Sequence, residues 1–259
     1  MPDTRPTYAP GEPAWVELFT TDVEGARRFY GDLFGWTSEA AGEEYGGYVT
    51  FERDGAPVAG CMHNDGSMGP ETWSVYLASD DVTATAERAR EHGGQVVVEP
   101  MQVGEMGHMA FLVDPAGAGI GVWQAGQHTG MGALGAPGTP AWFETLSTDY
   151  RASTTFYRDV FGWDLHVESD SDEFRYSTLG QGEQARAGIM DASAFAGPEG
   201  SSWRFYVAVE DADAAVSRVE ELGGATVHSA EDTPYGRVAV VADPAGVRFS
   251  LLGPARGDG

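Results

Sequence analysis

Residues 14–22 of the chain, AWVELFTTD, return as AWFETLSTD at residues 141–149, and RFYGDLFGW at 28–36 returns as TFYRDVFGW at 155–163. The copies lie 127 residues apart in a chain of 259 residues. A repeat at a fixed spacing is typical of structural units that share one fold. The sequence therefore predicts two halves with a common architecture.

Each half contains a smaller repeat of its own. In the first quarter, alternating apolar residues predict a strand over 14–21, and Asp22 and Gly35 have the residue types that begin and end a helix. Two further strands are predicted over 45–51 and 57–62. The second quarter repeats this order, with one strand, one helix and three strands predicted over 72–79, 81–92, 95–99, 108–113 and 119–124.

A stretch rich in glycine, alanine and proline, GMGALGAPG at residues 130–138, separates the two halves. This composition is typical of a linker. We therefore predict a first domain over 12–125, a linker over 126–138 and a second domain over 139–253.

The ionisable residues exclude several classes of function. All fifteen cationic side chains are arginine, and they stand against 40 acidic residues, which gives a net charge of −25. Without lysine the chain can form neither a lysine Schiff base nor a Walker-type phosphate loop. So negative a chain is expected to repel nucleic acid and anionic membranes. The single cysteine, Cys61, excludes an intramolecular disulfide and a cysteine-rich zinc site.

The apolar residues indicate a globular protein and not a membrane protein. No apolar run approaches the roughly 20 residues that a bilayer span requires, and the N-terminal residues MPDTRP have no hydrophobic signal core. We expect a cytoplasmic protein whose partner is a small molecule, with neither nucleic acid nor a membrane as a partner. A homodimer is one assembly open to such a chain.

Three recurring motifs resemble those of one family, the vicinal oxygen chelate superfamily. They are TD, FY and LFGW within 21–36, which return as TD, FY and VFGW within 148–163, the helix start DDV at 80–82, and DPAG at 114–117 and 243–246. The superfamily includes glyoxalase I, bleomycin-resistance proteins and extradiol dioxygenases, and the resemblance covers 12–125 and 139–253. It implies an α+β fold in which four βαβββ modules pair into two bowls, and a link to secondary metabolism.

The resemblance also implies where metal ligands would lie. The corresponding positions hold Trp15, Ser74 and Gly121 in the first half and Trp142, Arg204 and Ser250 in the second. The remaining position falls within 60–62 or 188–190, which contain neither histidine nor glutamate. A catalytic zinc or iron site typically needs three protein ligands, and indole cannot coordinate a cation. We therefore expect no metal and no other cofactor, although His63 and His108 could approach each other in the first bowl.

Strand alternation predicts which side chains line the bowls instead. Val16 and Leu18 form the apolar face of the first strand, so Trp15, Glu17 and Phe19 should point the other way. Our catalytic candidates are Glu17, Glu144 and Tyr76, since partial burial should raise the pKa of a carboxyl group. The alternative is that the glutamates only pair with arginine or backbone groups. The ligand-binding candidates are Trp15, Phe19, Ser74, Trp123, Trp142, Arg204 and Tyr206.

The two bowls are expected to differ. Gly119 and Gly121 should leave room in the first bowl, whereas Arg204 and Arg248 should enter the second and pair with Glu144. An aromatic pocket with few polar groups is typical of a small-molecule site.

Three functions stay open from the sequence. The first is a metal-independent binding protein of the glyoxalase or bleomycin-resistance type, for an aromatic or polycyclic metabolite or antibiotic. The second is a cofactor-independent enzyme, such as an isomerase, hydrolase or hydroxylase-like protein, with a bowl glutamate as general base. The third is a module whose second bowl is filled and only supports the first, which would place any catalysis in the N-terminal half.

Overall fold

The fold is a tandem of two eight-stranded sheets with helices packed on one face of each. A computed structural model describes residues 7–42, 45–66, 69–198 and 200–256. The first half contains β1 (Pro13–Thr20), α1 (Val23–Phe34), β2 (Thr37–Ala40), β3 (Val49–Arg53), β4 (Ala56–His63), β5 (Thr72–Ala78), α2 (Val82–Glu91), β6 (Gln95–Val103), β7 (Gly107–Val113) and β8 (Gly119–Ala125).

The second half repeats the order of the first. It contains β9 (Pro140–Ser147), α3 (Tyr150–Phe161), β10 (Leu165–Asp170), β11 (Arg175–Leu179), β12 (Ala187–Asp191), β13 (Ser202–Ala208), α4 (Ala212–Glu221), β14 (Ala225–Thr233), β15 (Gly236–Ala242) and β16 (Arg248–Gly253). The predicted α+β fold of four βαβββ modules is confirmed. The sequence pattern does not predict β2, and it predicts that the next strand begins at residue 45, whereas β3 begins at Val49.

The modules pair within each half. The strand order is β2-β3-β4-β1-β5-β8-β7-β6 in the first sheet and β10-β11-β12-β9-β13-β16-β15-β14 in the second. The first strands of the two modules, β1 and β5, are antiparallel neighbours at the centre of the sheet. Each sheet therefore joins two modules edge to edge, and its concave face is a bowl formed within one half. We call the two concave faces the N-terminal bowl and the C-terminal bowl.

The helices begin and end at equivalent residues in the two halves. The carboxylate of Asp22 accepts a hydrogen bond of 2.8 Å from the backbone of Gly25, and Gly35 ends α1 in the left-handed conformation at φ 70°. Asp149 and Gly162 do the same for α3. The N-cap satisfies a free backbone donor, and glycine adopts positive φ without steric cost. The predicted ends of the helix in each repeat are confirmed.

The two sheets pack back to back through the faces that carry the helices. Trp73 on β5 contacts Phe205 on β13, with ring centroids 4.9 Å apart. Val16 and Leu18, on the same face of the first sheet, are fully buried. Because these faces meet, the two bowls open on opposite sides of the molecule.

The motifs behind the family resemblance connect the two halves. Tyr30 of α1 donates a hydrogen bond of 3.0 Å to Asp243, and Tyr157 of α3 donates one of 3.1 Å to Asp114. Each aspartate opens a DPAG turn, and Asp114 also accepts hydrogen bonds from the backbone of Ala116 and Ala118. The tyrosine of one half is thus bound to the turn of the other. These motifs stabilise the pairing of the halves and lie outside the bowls.

The indoles after α1 and α3 bind the segments that enter the first strands. Trp36 donates to the carbonyl of Gly138 at 2.6 Å, and Trp163 donates to the carbonyl of Gly11 at 2.9 Å. Each contact again crosses from one half to the other. Within the described ranges, no helix is long and apolar enough to cross a membrane.

Candidate functional site

The floor of each bowl is formed by the central strands of its sheet. In the N-terminal bowl, Trp15 on β1 pairs with Tyr76 on β5, which pairs in turn with Gly121 on β8. Two residues further along β1, Glu17 lies between Ser74 of β5 and Gly60 of β4. The alternation of these strands places all of these residues on the concave face. The site residues predicted for β1 and β5 therefore lie together.

A hydrogen-bonded chain of four side chains occupies this floor. Trp15 donates from Nε1 to the hydroxyl of Tyr48 at 2.8 Å, and the Tyr76 hydroxyl donates to the Glu17 carboxylate at 2.5 Å. The Tyr48 hydroxyl also bonds to Glu17. The carboxylate is thus held between two tyrosines, one of which is held by an indole.

The C-terminal bowl contains the same chain. Trp142 donates to the Tyr176 hydroxyl at 2.9 Å, and Tyr176 donates to Glu144 at 2.9 Å. On the other side, the Tyr206 hydroxyl donates to Glu144 at 2.5 Å. A Trp–Tyr–Glu–Tyr chain in both copies shows that it is a feature of the repeated fold. The predictions named Trp142, Glu144 and Tyr206 but not Tyr176.

Burial determines the protonation of these groups. Glu17 is 8% exposed, and desolvation raises the pKa of its carboxyl group even though hydrogen bonds from Tyr76 and Tyr48 lower it. The pKa values of Tyr48 and Tyr76 are raised well above the usual 10, first by burial and then by the negative charge of Glu17. Both tyrosines stay neutral donors, and Glu17 is held by hydrogen bonds and not by a cation.

Two glycines make room for the tyrosine rings. A side-chain carbon at Gly121 would overlap the ring of Tyr76, and one at Gly60 would overlap the Tyr48 hydroxyl. A side chain at Gly119 would meet Phe111. The expected empty space over Gly119 and Gly121 is therefore wrong, because aromatic rings of neighbouring strands fill it.

A residue of the linker packs on two tryptophans of the N-terminal bowl. The His128 ring packs edge-on against Trp15, with centroids 4.3 Å apart, and lies 5.6 Å from the ring of Trp123. Trp123 holds it in place by donating to the His128 carbonyl at 2.9 Å. Burial lowers the pKa of His128 to about 4, so the imidazole is neutral, and its Nε2 atom is buried without a hydrogen-bond partner among the described residues.

Phe19 and Ser74 complete the predicted residues of this bowl. Phe19 is partly exposed on β1 and Ser74 is 5% exposed on β5. His63 lies exposed at the end of β4, whereas His108 is on β7, beyond β8 on the other side of the sheet. The sheet order therefore separates the two histidines.

The C-terminal bowl has an aromatic mouth. The ring of Phe174 stacks on Tyr176 at 5.7 Å, with an angle of 19° between the planes, and Tyr235 approaches the same ring at 6.3 Å. Phe174 is 38% exposed and Tyr235 is 62% exposed. Phe174 precedes β11, and Tyr235 lies in the turn between β14 and β15, so these rings come from opposite sides of the sheet.

Arg204, which was expected to pair with Glu144, has a different partner. Arg204 is partly exposed and sits beside Glu144 in the sheet register. Arg204 interacts with the hydroxyl of Tyr206. Burial raises the pKa of Tyr206, and the positive charge of Arg204 lowers it by a smaller amount. The Glu144 carboxylate accepts its side-chain hydrogen bonds from Tyr176 and Tyr206. The predicted ion pair between Arg204 and Glu144 is therefore wrong, since tyrosines occupy that carboxylate.

A separate cleft of about 360 Å³ lies where α2 of the first half meets the end of α3. Arg88 in this cleft donates to the carbonyl of Val160 at 3.1 Å and to Thr85 at 2.9 Å. The arginine thereby caps the last turn of α3. We assign this cleft to the packing of the two halves.

The residues of the bowls do not fit a catalytic metal. Within 7–42, 45–66, 69–198 and 200–256, no three side chains of histidine, cysteine, aspartate or glutamate converge. Glu17 and Glu144 each lie on a bowl floor with tyrosine hydroxyls as partners, and the neighbouring strand positions hold tryptophan and glycine. These groups cannot supply the three ligands that such a site needs.

Comparison with known proteins places the chain in a family. Residues 13–122 match the model of the glyoxalase/bleomycin resistance protein/dioxygenase superfamily, and residues 143–252 match that of a glyoxalase-like domain. The structure is similar to the Mn(II)-bound glyoxalase of Novosphingobium aromaticivorans, with a TM-score of 0.66 and 17% identity, over 95% of this chain and 83% of that one. It is also similar to the 2,3-dioxygenase LapB of Pseudomonas, with a TM-score of 0.66 and 12% identity, over 97% and 94%.

Two full-length relatives are closer in sequence. The anthracycline biosynthesis protein DnrV of Streptomyces peucetius is 35% identical, over 95% of this chain and 94% of that protein. CFP32 of Mycobacterium tuberculosis, provisionally named a glyoxylase, is 34% identical, over 97% and 98%. The chain belongs to the glyoxalase/bleomycin resistance protein/dioxygenase superfamily, and it carries two such domains in tandem.

Proposed function

We propose that this protein binds a planar aromatic or polycyclic metabolite without a metal ion or other cofactor, in the manner of the bleomycin-resistance branch of its superfamily. The observation that carries the proposal is the Trp–Tyr–Glu–Tyr chain, which fills the floor of both bowls. It offers aromatic faces for stacking and tyrosine oxygens for hydrogen bonds to a ligand hydroxyl or carbonyl. The name of the relative DnrV supports a ligand from secondary metabolism.

The glutamate in each bowl has a positioning role in this proposal. By accepting from two tyrosines, Glu17 or Glu144 fixes both rings, since each hydroxyl must point at the carboxylate. A preorganised aromatic floor loses little conformational freedom when a ligand binds. Tyr48 and Tyr176 each accept one hydrogen bond from an indole, which leaves one lone pair of each hydroxyl oxygen for a ligand donor.

A test of the binding function begins with protein purified without a histidine tag. Metal content is measured by mass spectrometry, and melting temperature is measured with and without a chelator and with a panel of planar phenols and quinones. We expect less than one tenth of an equivalent of transition metal, no effect of the chelator, and a rise in melting temperature with at least one aromatic compound. Stoichiometric metal whose removal lowers the melting temperature would contradict metal independence.

A second candidate function is cofactor-independent catalysis. The observation that favours it is the raised pKa of Glu17, because a carboxylate in an apolar bowl is a stronger base than one in water. Glu17→Gln and Glu144→Gln separate the two functions once a ligand is known. If either variant keeps its affinity but loses turnover, catalysis is favoured. If the wild type turns over no ligand and the variants bind it more weakly, binding alone is favoured.

A further inference from the structure

The two bowls have the same floor but different mouths, and the difference has an identifiable cause. The chain continues beyond β8 into the linker, whose residues 126–128 run along the β6–β7 turn through hydrogen bonds to Glu105 and Met106. This path brings His128 onto Trp15. Among the residues that the structure describes, the ring of His128 packs on Trp15, and no aromatic ring packs on the equivalent indole, Trp142.

The far edges of the two sheets also differ. In the N-terminal half the ring of Tyr45 lies so close to the β6–β7 turn that a side-chain carbon at Gly104 would be 2.8 Å from it. The two edges of that bowl thus touch. In the C-terminal half the edges also meet, since Tyr235 reaches Tyr176 at 6.3 Å, but the rings of Phe174 and Tyr235 stay 38% and 62% exposed. Exposed rings on both sides of a concave surface form a place where a flat molecule can stack.

The charge of the two floors differs at one register position. Ser74 pairs with Glu17 in the N-terminal sheet, whereas Arg204 pairs with Glu144 in the C-terminal sheet. Arg204 is partly exposed on the concave face of a chain whose net charge is −25. A guanidinium beside the Tyr206 hydroxyl favours an oxygen that carries negative charge.

We propose that the ligand of the proposed function is a planar polycyclic phenol, and that one molecule binds per chain, in the C-terminal bowl. Its ring system lies against Phe174 and Tyr235, and its hydroxyl oxygen, as the phenolate where it ionises, lies at Arg204 and Tyr206. The N-terminal bowl, where His128 packs on Trp15, does not take part. This inference rests on the proposed function and adds to it the location, the stoichiometry and the class of ligand.

The experiment uses the full chain and the dihydroxyanthraquinone chrysazin, with unsubstituted anthraquinone as the compound lacking hydroxyls. Binding is followed by the absorbance and fluorescence of the dye, and stoichiometry by titration at high protein concentration. We expect one equivalent of chrysazin per chain and weaker binding of anthraquinone. Wild-type affinity should also rise with pH through the ionisation of the phenol.

Variants locate the site. Tyr235→Ala and Phe174→Ala should each weaken chrysazin binding about three- to tenfold, and Arg204→Gln should weaken it at least about tenfold and remove the rise with pH. Phe195→Ala is the matched control, because Phe195 is an exposed ring, 60% accessible, in the loop after β12. Its affinity should equal that of the wild type. Because all three aromatic positions are exposed, these variants are expected to fold.

The outcomes separate the inference from the function beneath it. Two equivalents per chain, or an affinity that changes with His128→Ala and not with Tyr235→Ala, would overturn the inference and leave the proposed function standing. A wild-type protein that binds no planar aromatic of the panel would overturn the proposed function, and the inference with it. One equivalent whose affinity depends on Tyr235, Phe174 and Arg204 supports both.

Discussion

Tyr76 donates a hydrogen bond of 2.5 Å to Glu17 across two neighbouring strands, and Tyr206 makes the same contact with Glu144 in the other half. The carboxylate lies near the centre of each sheet, on its concave face, where it has tyrosine partners. A buried glutamate with two hydroxyl donors is satisfied without a positive charge. This arrangement gives several measurable consequences.

Glu17→Gln should flatten the dependence of stability on pH. Burial raises the folded-state pKa of Glu17 above its unfolded value of about 4.5, so the folded state binds the proton more tightly. Its contribution to stability is fully present below the unfolded pKa and is lost as pH rises through the folded pKa. We expect wild-type protein to lose stability over that range, and the variant to lose less.

The measurement is urea unfolding between pH 4 and pH 8, with Glu87→Gln as the control because Glu87 is exposed on α2. The control should follow the wild-type curve. A Glu17→Gln curve parallel to the wild type would show that the ionisation of Glu17 does not change on folding.

His128→Phe should reduce the loss of stability that occurs as pH falls, whereas Glu17→Gln reduces the loss that occurs as pH rises. Burial lowers the folded-state pKa of His128 from 6.5 to about 4, so its contribution to stability is present above pH 6.5 and is lost as pH falls toward 4. The wild type should therefore lose about 1–3 kcal/mol between pH 7.5 and pH 4 through this group. Phenylalanine keeps the ring contact with Trp15 and removes the titration.

Unfolding free energies at pH 7.5 and pH 4.5 check this, with His228→Phe as the exposed control. The His128 variant should lose less stability on acidification than either the control or the wild type. Equal losses in all three would mean that the imidazole is already accessible to protons in the folded state.

Tyr30→Phe and Tyr157→Phe should each destabilise the protein by about 1–3 kcal/mol, because each removes a hydrogen bond to a buried carboxylate of the other half. Each hydroxyl also accepts from an indole, Trp73 or Trp203, which would lose its partner. Unfolding in urea measures the effect. Tyr235→Phe, at an exposed hydroxyl, should change stability by less than about 0.5 kcal/mol, and a cost as small for Tyr30→Phe would argue against the contact between the halves.

Gly121→Ala should destabilise the protein by about 1–3 kcal/mol, since the added methyl group overlaps the ring of Tyr76 and forces it to move. The displaced hydroxyl should also lose its contact with Glu17. Gly197→Ala is the matched control, because a side-chain carbon there meets nothing within 4 Å. Urea unfolding gives the cost, and a Gly121 variant as stable as the control would mean that the Tyr76 ring moves freely.

Part of the candidate site could be predicted from local sequence. The period of two along β1 and β5 correctly placed Trp15, Glu17, Ser74 and Tyr76 on one face, because alternation is a property of the extended backbone itself. Helix caps such as Asp22 were predictable for the same reason, since the capping bond joins residues close in sequence.

Other members of the site could not be found in this way. Tyr48 precedes β3 and Tyr176 lies on β11, and their contacts with the glutamates depend on the register of three strands, which local pattern does not determine. His128 lies in a stretch with the composition of a linker, and only the path of that linker across the β6–β7 turn brings its ring onto Trp15.

The sequence by itself determined the duplication, the four βαβββ modules and the face of each central strand, since these follow from repeats and from the periodicity of the backbone. Only the tertiary structure decided which groups satisfy the buried glutamates, that aromatic rings fill the space over the glycines, and that His128 packs on the indole of one bowl while the other bowl has exposed rings at its mouth. The reason is physical. These features depend on contacts between residues far apart in the chain, whose geometry is defined only when the sheets have curled and the halves have packed.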